Sequence, residues 1–488
     1  MNLHMWWESW KKLQKLGHVG TTMRMLEHFS SSHRFILKKV ERGIYMKLSS
    51  IFSMPNEEFI KYLDGLLLRK ENNGGLLFLP KLKAPVVVTD KGLEIAGYIK
   101  EHLITYGNLD YSALVNTLEY KGISNWELDS FLNAIKLALG EYGKYVVSIN
   151  PNKTFSSKNY PKIGDPKISS IIPRPKSPIR LVWEITKNCN FSCNFCYVYG
   201  DKNVGKDLSF DEMCNIIKQA SDMEVFYFVL LGGEPLLRKE FYSIIREIRE
   251  YDMYSTVITN GYLIKQQLAA LKLMPPMPVV VSLHGNPMDY AKYMNLDDLS
   301  IAKRIFNQIV ENIRLLRSEN IEVHIKSVVS TINIQNLWDH LVLLDSLGVS
   351  HVTLLHYLPI GKGAINNKPA LLTPKMLVQF FEIVDKANRE LDVSVDYRPF
   401  ISIYAPALTP EFNYDNCPTG TMDLRIRYDG KVIQCSGVRD IFLGDLRQEP
   451  LKRIWEDALN RRDLTKCPFV SGRFPLELPE YSYHLLEE

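Results

Sequence analysis

The sequence predicts an α/β protein: a partial (β/α)6 TIM-like barrel, a winged-helix-like domain before it and a small cysteine-bearing domain after it. Three observations carry this. Between Ile179 and Leu358, six short apolar runs alternate with helical patterns. Repeated βα units imply parallel strands with right-handed crossovers, and six units fall short of the complete eight. Upstream, a strand candidate precedes two helical patterns; downstream of about Phe400 the alternation stops and widely spaced cysteines follow.

The barrel strands are expected at Ile179–Ile185, Val225–Leu231, Tyr254–Thr259, Val279–Leu283, Glu322–Val329 and His351–Leu358. Each is short and mostly apolar or β-branched, as a strand covered on both faces requires. Ser209-Phe210-Asp211-Glu212 is a capping box that opens the first helix. Ile301–Leu316 and Gln335–Leu347 show helical periodicity. In the first block, Pro85–Thr89 is the strand candidate, Leu93, Ile95, Ala96 and Ile99 begin a helix, and Ser124-Asn125-Trp126-Glu127 caps a second helix carrying Leu128, Phe131, Leu132 and Ile135 on one face. Met1–Leu16 reads as an amphipathic helix that docks on the protein itself.

These elements divide the 488 residues into a region 1–150 with a small domain at about 85–139, a proline-rich linker 151–178, a barrel 179–400 and a cluster-type domain 401–488. The chain is 46% hydrophobic and 23% charged with a net charge of +4. That is ordinary globular composition, without the concentrated basic stripe that nucleic-acid binding requires. There is no run of ~20 apolar residues for a membrane span and no signal-peptide pattern, so a cytoplasmic protein is expected. Seven cysteines, an odd number, suit intracellular metal ligation better than a disulfide framework.

Three of them, Cys189, Cys193 and Cys196, follow the first barrel strand directly in a C-x3-C-x2-C spacing. Reactive groups of parallel αβ folds sit on the loops after strands. Thiolates hold iron–sulfur clusters, ordinarily four at a time. Here the next cysteine, Cys214, shares an apolar helical face with Phe210 and Ile217 and reads as a packing residue. Three ligands leave one iron open, whereas a structural zinc site closes its fourth position. The second strand ends in Gly232-Gly233-Glu234-Pro235, where glycines permit close backbone approach. The Glu234 carboxylate can accept hydrogen bonds from an ammonium or support its own loop. The third strand ends in Thr259-Asn260-Gly261 and the fourth in Ser282-Leu283-His284-Gly285.

Taken together these residues resemble the radical S-adenosylmethionine (SAM) superfamily. The resemblance implies a [4Fe–4S] cluster on Cys189, Cys193 and Cys196 whose open iron binds SAM. Reductive cleavage of SAM then yields a 5′-deoxyadenosyl radical. It implies adenine contact for Phe195, a SAM-binding role for Gly232, Gly233 and Glu234, and a ribose or carboxylate contact for Ser282. His284 stands where many relatives have Asp, and reads as a structural residue. Sulfatase-maturase relatives place an Arg where this chain has Met294, with Lys292 nearby.

Tyr428-Asp429-Gly430 reads as a hairpin turn between Leu424–Arg427 and Lys431–Ile433, which would bring Cys417 and Cys435 together. With Cys467, the stretch resembles the SPASM/twitch extension. The short cysteine set favours the twitch type, which implies a second, auxiliary [4Fe–4S] cluster on Cys417, Cys435 and Cys467. The 85–139 region resembles a PqqD-like recognition domain, in which a leader peptide adds as a strand to a sheet edge. The resemblance therefore implies a maturase acting on a precursor peptide or protein, fed by a low-potential donor such as ferredoxin or flavodoxin. The alternative is cofactor biosynthesis, as a heme-pathway decarboxylase or a metal-cofactor maturase.

Overall fold

The computed structural model describes residues 54–142, 174–198, 206–357, 361–398 and 419–466, apart from short interruptions at 72–73, 83, 89, 108–109, 366–369 and 464–465. The expected amphipathic helix at Met1–Leu16, most of the proline-rich linker, and Cys417 and Cys467 lie outside the described residues.

The six expected barrel strands are present as β4 (Arg180–Thr186), β5 (Tyr227–Gly232), β6 (Tyr254–Thr259), β7 (Val279–Ser282), β8 (Val323–Val329) and β9 (His351–His356). Neighbours pair in parallel throughout. The crossovers carry α4 (Phe210–Asp222), α5 (Phe241–Glu250), α6 (Pro287–Met294), α7 (Leu299–Ser318) and α8 (Leu337–Ser346). The Ser209/Glu212 capping box forms as expected.

Four strands extend the sheet beyond the six, two of them parallel to it. Helix α9 (Pro374–Glu390) leads into β10 (Ser394–Arg398), which pairs in parallel with β9. Its sequence, SVDYR, has no apolar run. An edge strand with one neighbour does not need the continuous burial of a central one, which is why periodicity passes over it. At the other edge, β11 (Asp423–Ile426) pairs in parallel with β4. The C-terminal module thus continues the barrel sheet instead of standing apart. It proceeds antiparallel through β12 (Lys431–Cys435) and β13 (Val438–Asp445) to helix α10 (Leu451–Arg461). The turn between β11 and β12 holds Gly430 at φ 87°, a left-handed conformation that favours glycine, so the expected hairpin forms around Tyr428-Asp429-Gly430.

The N-terminal module holds three strands, not one. β1 (Leu67–Lys70), β2 (Gly75–Leu79) and β3 (Ala84–Val88) form an antiparallel sheet in that order. Helices α1 (Asp90–Tyr106), α2 (Tyr111–Tyr120) and α3 (Asn125–Tyr142) cover one face. The Ser124/Glu127 capping box is made, with Glu127 Oε2 accepting from Ser124 N at 2.9 Å. Every residue of β2 is buried, and period-2 alternation shows why. Leu77 and Leu79 enter the module's own core with Phe59, Ile60 and Leu63. Leu76 and Phe78 turn the other way, onto Ile179, Phe226, Tyr227, Tyr254 and Met277. Those five residues lie at or just before the starts of β4 to β7, so the sheet caps the N-terminal end of the barrel. The core of this module is wider than the expected 85–139, since it draws on residues from Phe59 onward.

Candidate active site

The opposite end of the barrel carries the cysteines. From the end of β4 the chain enters a loop held on all sides. Asp207 accepts from Thr186 Oγ1 at 2.5 Å and from Lys187 N at 3.1 Å. Asn194 N donates to Tyr293 O at 2.8 Å, and Asn194 Nδ2 to Lys292 O at 3.0 Å, so α6 flanks the loop. Asn260 Nδ2 donates to Asn190 Oδ1 at 2.7 Å, which ties in the Thr259-Asn260-Gly261 turn.

The GGEP segment meets this loop backbone to backbone. Gly233 N donates to Thr186 O at 2.8 Å and Glu234 N to Asn188 O at 2.7 Å. A Cβ on Gly233 would stand 2.2 Å from Asn188 O, closer than any side chain tolerates. The Glu234 carboxylate is spoken for: it accepts from Leu236 N, Thr259 Oγ1 and Asn260 N at 3.0, 2.6 and 2.7 Å. Of the two roles open from the sequence, the geometry has Glu234 bracing its loop against the β6 turn. Burial raises its pKa to about 7 against the pull of those donors.

Cys189, Cys193 and Cys196 are all half-buried and free of disulfides. Burial pushes the Cys189 thiol up to about 11, with the charges of Glu234 and Cys196 adding to it. Cys193 is driven higher still by burial and by the other two thiolates. Three crowded thiols resist ionising together unless positive charge is supplied, and a coordinating metal deprotonates its thiols outright. The donor set fits an iron–sulfur cluster.

Phe195 packs edge-on against His284 and Tyr293, with centroids 4.9 and 5.0 Å away. His284 Nδ1 accepts from Val328 N at 3.0 Å. Burial lowers its pKa to about 3, with His340 contributing, which favours the neutral imidazole. Ser282 ends β7, and its hydroxyl has no hydrogen-bond partner among the described residues, though its carbonyl accepts from Tyr290 Oη at 3.2 Å. Met294 packs beside the barrel core. Cys214 lies half-buried on α4.

Sequence reasoning missed Lys362. Its backbone N donates to Cys196 O and its Nζ to Ser192 Oγ, both at 3.0 Å, while a Cβ on Gly361 would stand 2.5 Å from Cys196 O. The segment after β9 thus seals the cysteine loop. The signal was Gly361-Lys362-Gly363, punctuation just past a strand end. Arg439 of β13 was missed as well; it holds Glu184 of β4 through two hydrogen bonds of 2.5 and 2.9 Å.

In the C-terminal module, Cys435 ends β12. Gln434 beside it exchanges two hydrogen bonds with the Asp463 backbone, at 2.6 and 2.8 Å. Arg462 Nη1 donates to Thr419 O at 3.3 Å. The described neighbours of Cys417, Cys435 and Cys467 are therefore tied to one another.

A parallel barrel with three thiols on the loop after its first strand, braced by a glycine-rich loop after its second, offers a donor set that can take a cluster. Comparison with known proteins gives the class. Residues 183–346 match the radical SAM superfamily, and residues 417–476 match the SPASM iron–sulfur cluster-binding domain. The chain thus carries a radical SAM domain and a SPASM domain; it is an enzyme, and its cofactors are a [4Fe–4S] cluster and SAM. Its sequence is similar to a "Probable GTP 3',8-cyclase" of Saccharolobus islandicus, at 26% identity over 59% of this chain and 92% of that one. It is also similar to the AdoMet-dependent heme synthase of Methanosarcina barkeri, at 23% identity over 62% of this chain and 89% of that one. In structure it resembles Streptococcus suis SuiB bound to the precursor peptide SuiA, with a TM-score of 0.54 and 15% identity over 87% of this chain and 93% of that one. At that identity the likeness is one of fold. No helix among the described residues is long and apolar enough to cross a membrane.

Proposed function

We propose that the enzyme is a maturase that modifies a peptide or protein substrate by hydrogen abstraction, with the N-terminal module receiving the substrate's leader segment. When bound at Cys189, Cys193 and Cys196, the cluster supplies the electron that cleaves SAM to a 5′-deoxyadenosyl radical. The chain's own residues do the positioning. Gly232 and Gly233 let backbone approach the methionine end of SAM, Glu234 braces that loop, Ser282 offers an unengaged hydroxyl, and the Phe195 ring stands beside the adenine. Cys417, Cys435 and Cys467 would share one auxiliary [4Fe–4S] cluster, a reading supported by the ties among their neighbours. Electrons come from a low-potential ferredoxin or flavodoxin.

The observation that carries the peptide reading is the N-terminal sheet. β3 pairs only with β2 among the described residues, and it contains Pro85, a residue confined in sheets to edges and bulges. An edge strand can accept an added peptide strand, with backbone bonds giving affinity and side-chain pockets specificity. The likeness to SuiB, whose structure holds a precursor peptide, extends across 87% of this chain. The cyclase and the heme synthase nearly exhaust their own length on about 60% of it.

The test is hydrogen exchange on the full-length enzyme with peptides encoded beside it. A substrate peptide should slow exchange at residues 84–88, and a scrambled peptide should not. A peptide that is modified without protecting β3 would remove the leader site. The sequence likeness to the cyclase and the heme synthase favours a second reading, a small-molecule substrate in cofactor biosynthesis. Turnover of such a compound, with no neighbouring peptide bound, would establish it instead.

A further inference from the structure

The inward-facing side chains of the barrel strands carry charge that the cysteine loop does not use. On β8 the residues Val323, Ile325 and Val329 enter the apolar layer, and Lys326 faces the other way. On β4, Leu181, Trp183 and Ile185 do the same, leaving Arg180 and Glu184 on the inner side. On β11, Leu424 and Ile426 leave Asp423 and Arg425 inside. In strand order, β8 stands across the barrel from β4 and β11.

The interior carboxylates each lie against another side chain, although one oxygen of Asp423 and one of Asp396 accept no hydrogen bond among the described residues. Asp423 accepts from Arg180 at 2.8 and 3.1 Å, Glu184 is held by Arg439, and Asp396 of β10 lies 3.4 Å from His351. Two cations are left over. Lys326 Nζ has no hydrogen-bond or ion-pair partner among the described residues. Among the described residues the Arg425 guanidinium reaches only Ser436 Oγ, at 3.2 Å, and its buried Nε has no hydrogen-bond partner. Lys326 is level with Ser282 on β7, and Arg425 with Val182 on β4. The Lys326 ammonium is lowered to about 8, by burial first and then by the charges of Arg180 and Arg425, against Asp396. Arg425 also acts on Tyr197, the residue after Cys196. Positive charges that repel one another across a lumen, with Asp396 the one carboxylate acting on Lys326 and none within hydrogen-bond reach of its ammonium among the described residues, are held at a cost that an arriving anion removes.

We infer that Lys326 and Arg425, with Arg180 beside them, bind an oxyanion group of the substrate within the barrel lumen. On the peptide reading, on which this rests, the group is a carboxylate, an acidic side chain or a chain terminus near the modified residue. A fork and a point charge from opposite walls suit a planar carboxylate, which accepts two guanidinium bonds and a third from the ammonium.

Calorimetric titration of the reconstituted, SAM-loaded full-length enzyme with glutarate, with neutral glutaramide as control, tests the site apart from turnover and without any peptide. Glutarate should bind once per chain and glutaramide should not. Lys326→Met and Arg425→Met should each weaken glutarate at least tenfold, and the surface change Lys70→Met should leave it alone. Affinity should fall as pH rises through about 8, where Lys326 loses its proton. Inorganic phosphate binding in place of glutarate, with the same sensitivity to both variants, keeps the oxyanion site and points to a phosphorylated substrate. Failure of both anions to bind, or equal binding by both variants with unchanged iron content, overturns the inference. Leader binding at β3 is measured separately, so either idea can fail alone. A fold change in the Lys326→Met variant is recognised by its iron content and melting; Lys326→Arg, which keeps the charge, then decides by retaining the site.

Discussion

The two ends of the barrel are closed by different physics. At the strand starts, the N-terminal sheet lies on aromatic and aliphatic side chains: Phe78 stacks on Phe226 and Tyr227, with centroids 5.5 and 4.6 Å away. Beside them, buried Arg69 donates to Ser177 Oγ, Pro178 O and Glu224 O within 3.0 Å. At the strand ends, the GGEP loop, the β6 turn, α6 and the Gly361 segment meet the cysteine loop mainly through hydrogen bonds and glycine contacts. Packing of the first kind tolerates rearranged neighbours and fails by losing area. Contacts of the second kind fail when one atom is added. The lower end is thus where stability is held, and the upper end is where geometry is held.

That contrast is breakable. The largest effect is expected at the upper end. Cys193→Ala should bring 5′-deoxyadenosine release, measured by chromatography after anaerobic reconstitution, below detection, because one of only three thiolates is lost. Wild-type release would end the cluster assignment. Phe78→Ala should cost about 3–5 kcal/mol at the lower end, the usual range for truncating a buried aromatic. It should appear in thermal melting and in faster hydrogen exchange of β2, with SAM cleavage retained. Gly233→Ala adds a single carbon at the upper end, and about 1–3 kcal/mol of overpacking should slow SAM cleavage roughly 10–100-fold with melting little changed. If it moves melting more than cleavage, the division between the two ends is wrong. The smallest effect is expected for Asp90→Asn, which removes an ion pair to Lys70 whose side chains are 73% and 61% exposed. It should shift stability by less than about 1 kcal/mol.

The upper end was the more legible in sequence. Cysteine spacing and a glycine pair announce themselves in one dimension because each chemistry admits few residue types. The six central strands were legible too, through their unbroken apolar runs. β10 was not, because SVDYR is an edge strand mixing charge with one buried Val395. β1 and β2 were passed over although Leu76–Leu79 is wholly apolar. Burial on both faces erases the alternation that marks a half-exposed strand, and the second face here belongs to a distant part of the chain. The side chains left facing the lumen, Lys326 and Arg425, lie 99 positions apart, and only the closure of the sheet sets them face to face. The role of Glu234 was likewise open until its three donors were placed.

The placement of the N-terminal sheet at the strand starts sets a ruler. The cysteine loop begins where β4 ends, and β4 has seven residues. At about 3.3 Å per residue and a strand tilt of about 36°, the barrel wall is roughly 19 Å high. A peptide paired with β3 would have to run that height before it reached the SAM site, which takes at least about six extended residues. The first modifiable position would then be counted from the leader by distance, whatever residues fill the gap, and shortening that gap would move the mark along the substrate or erase it.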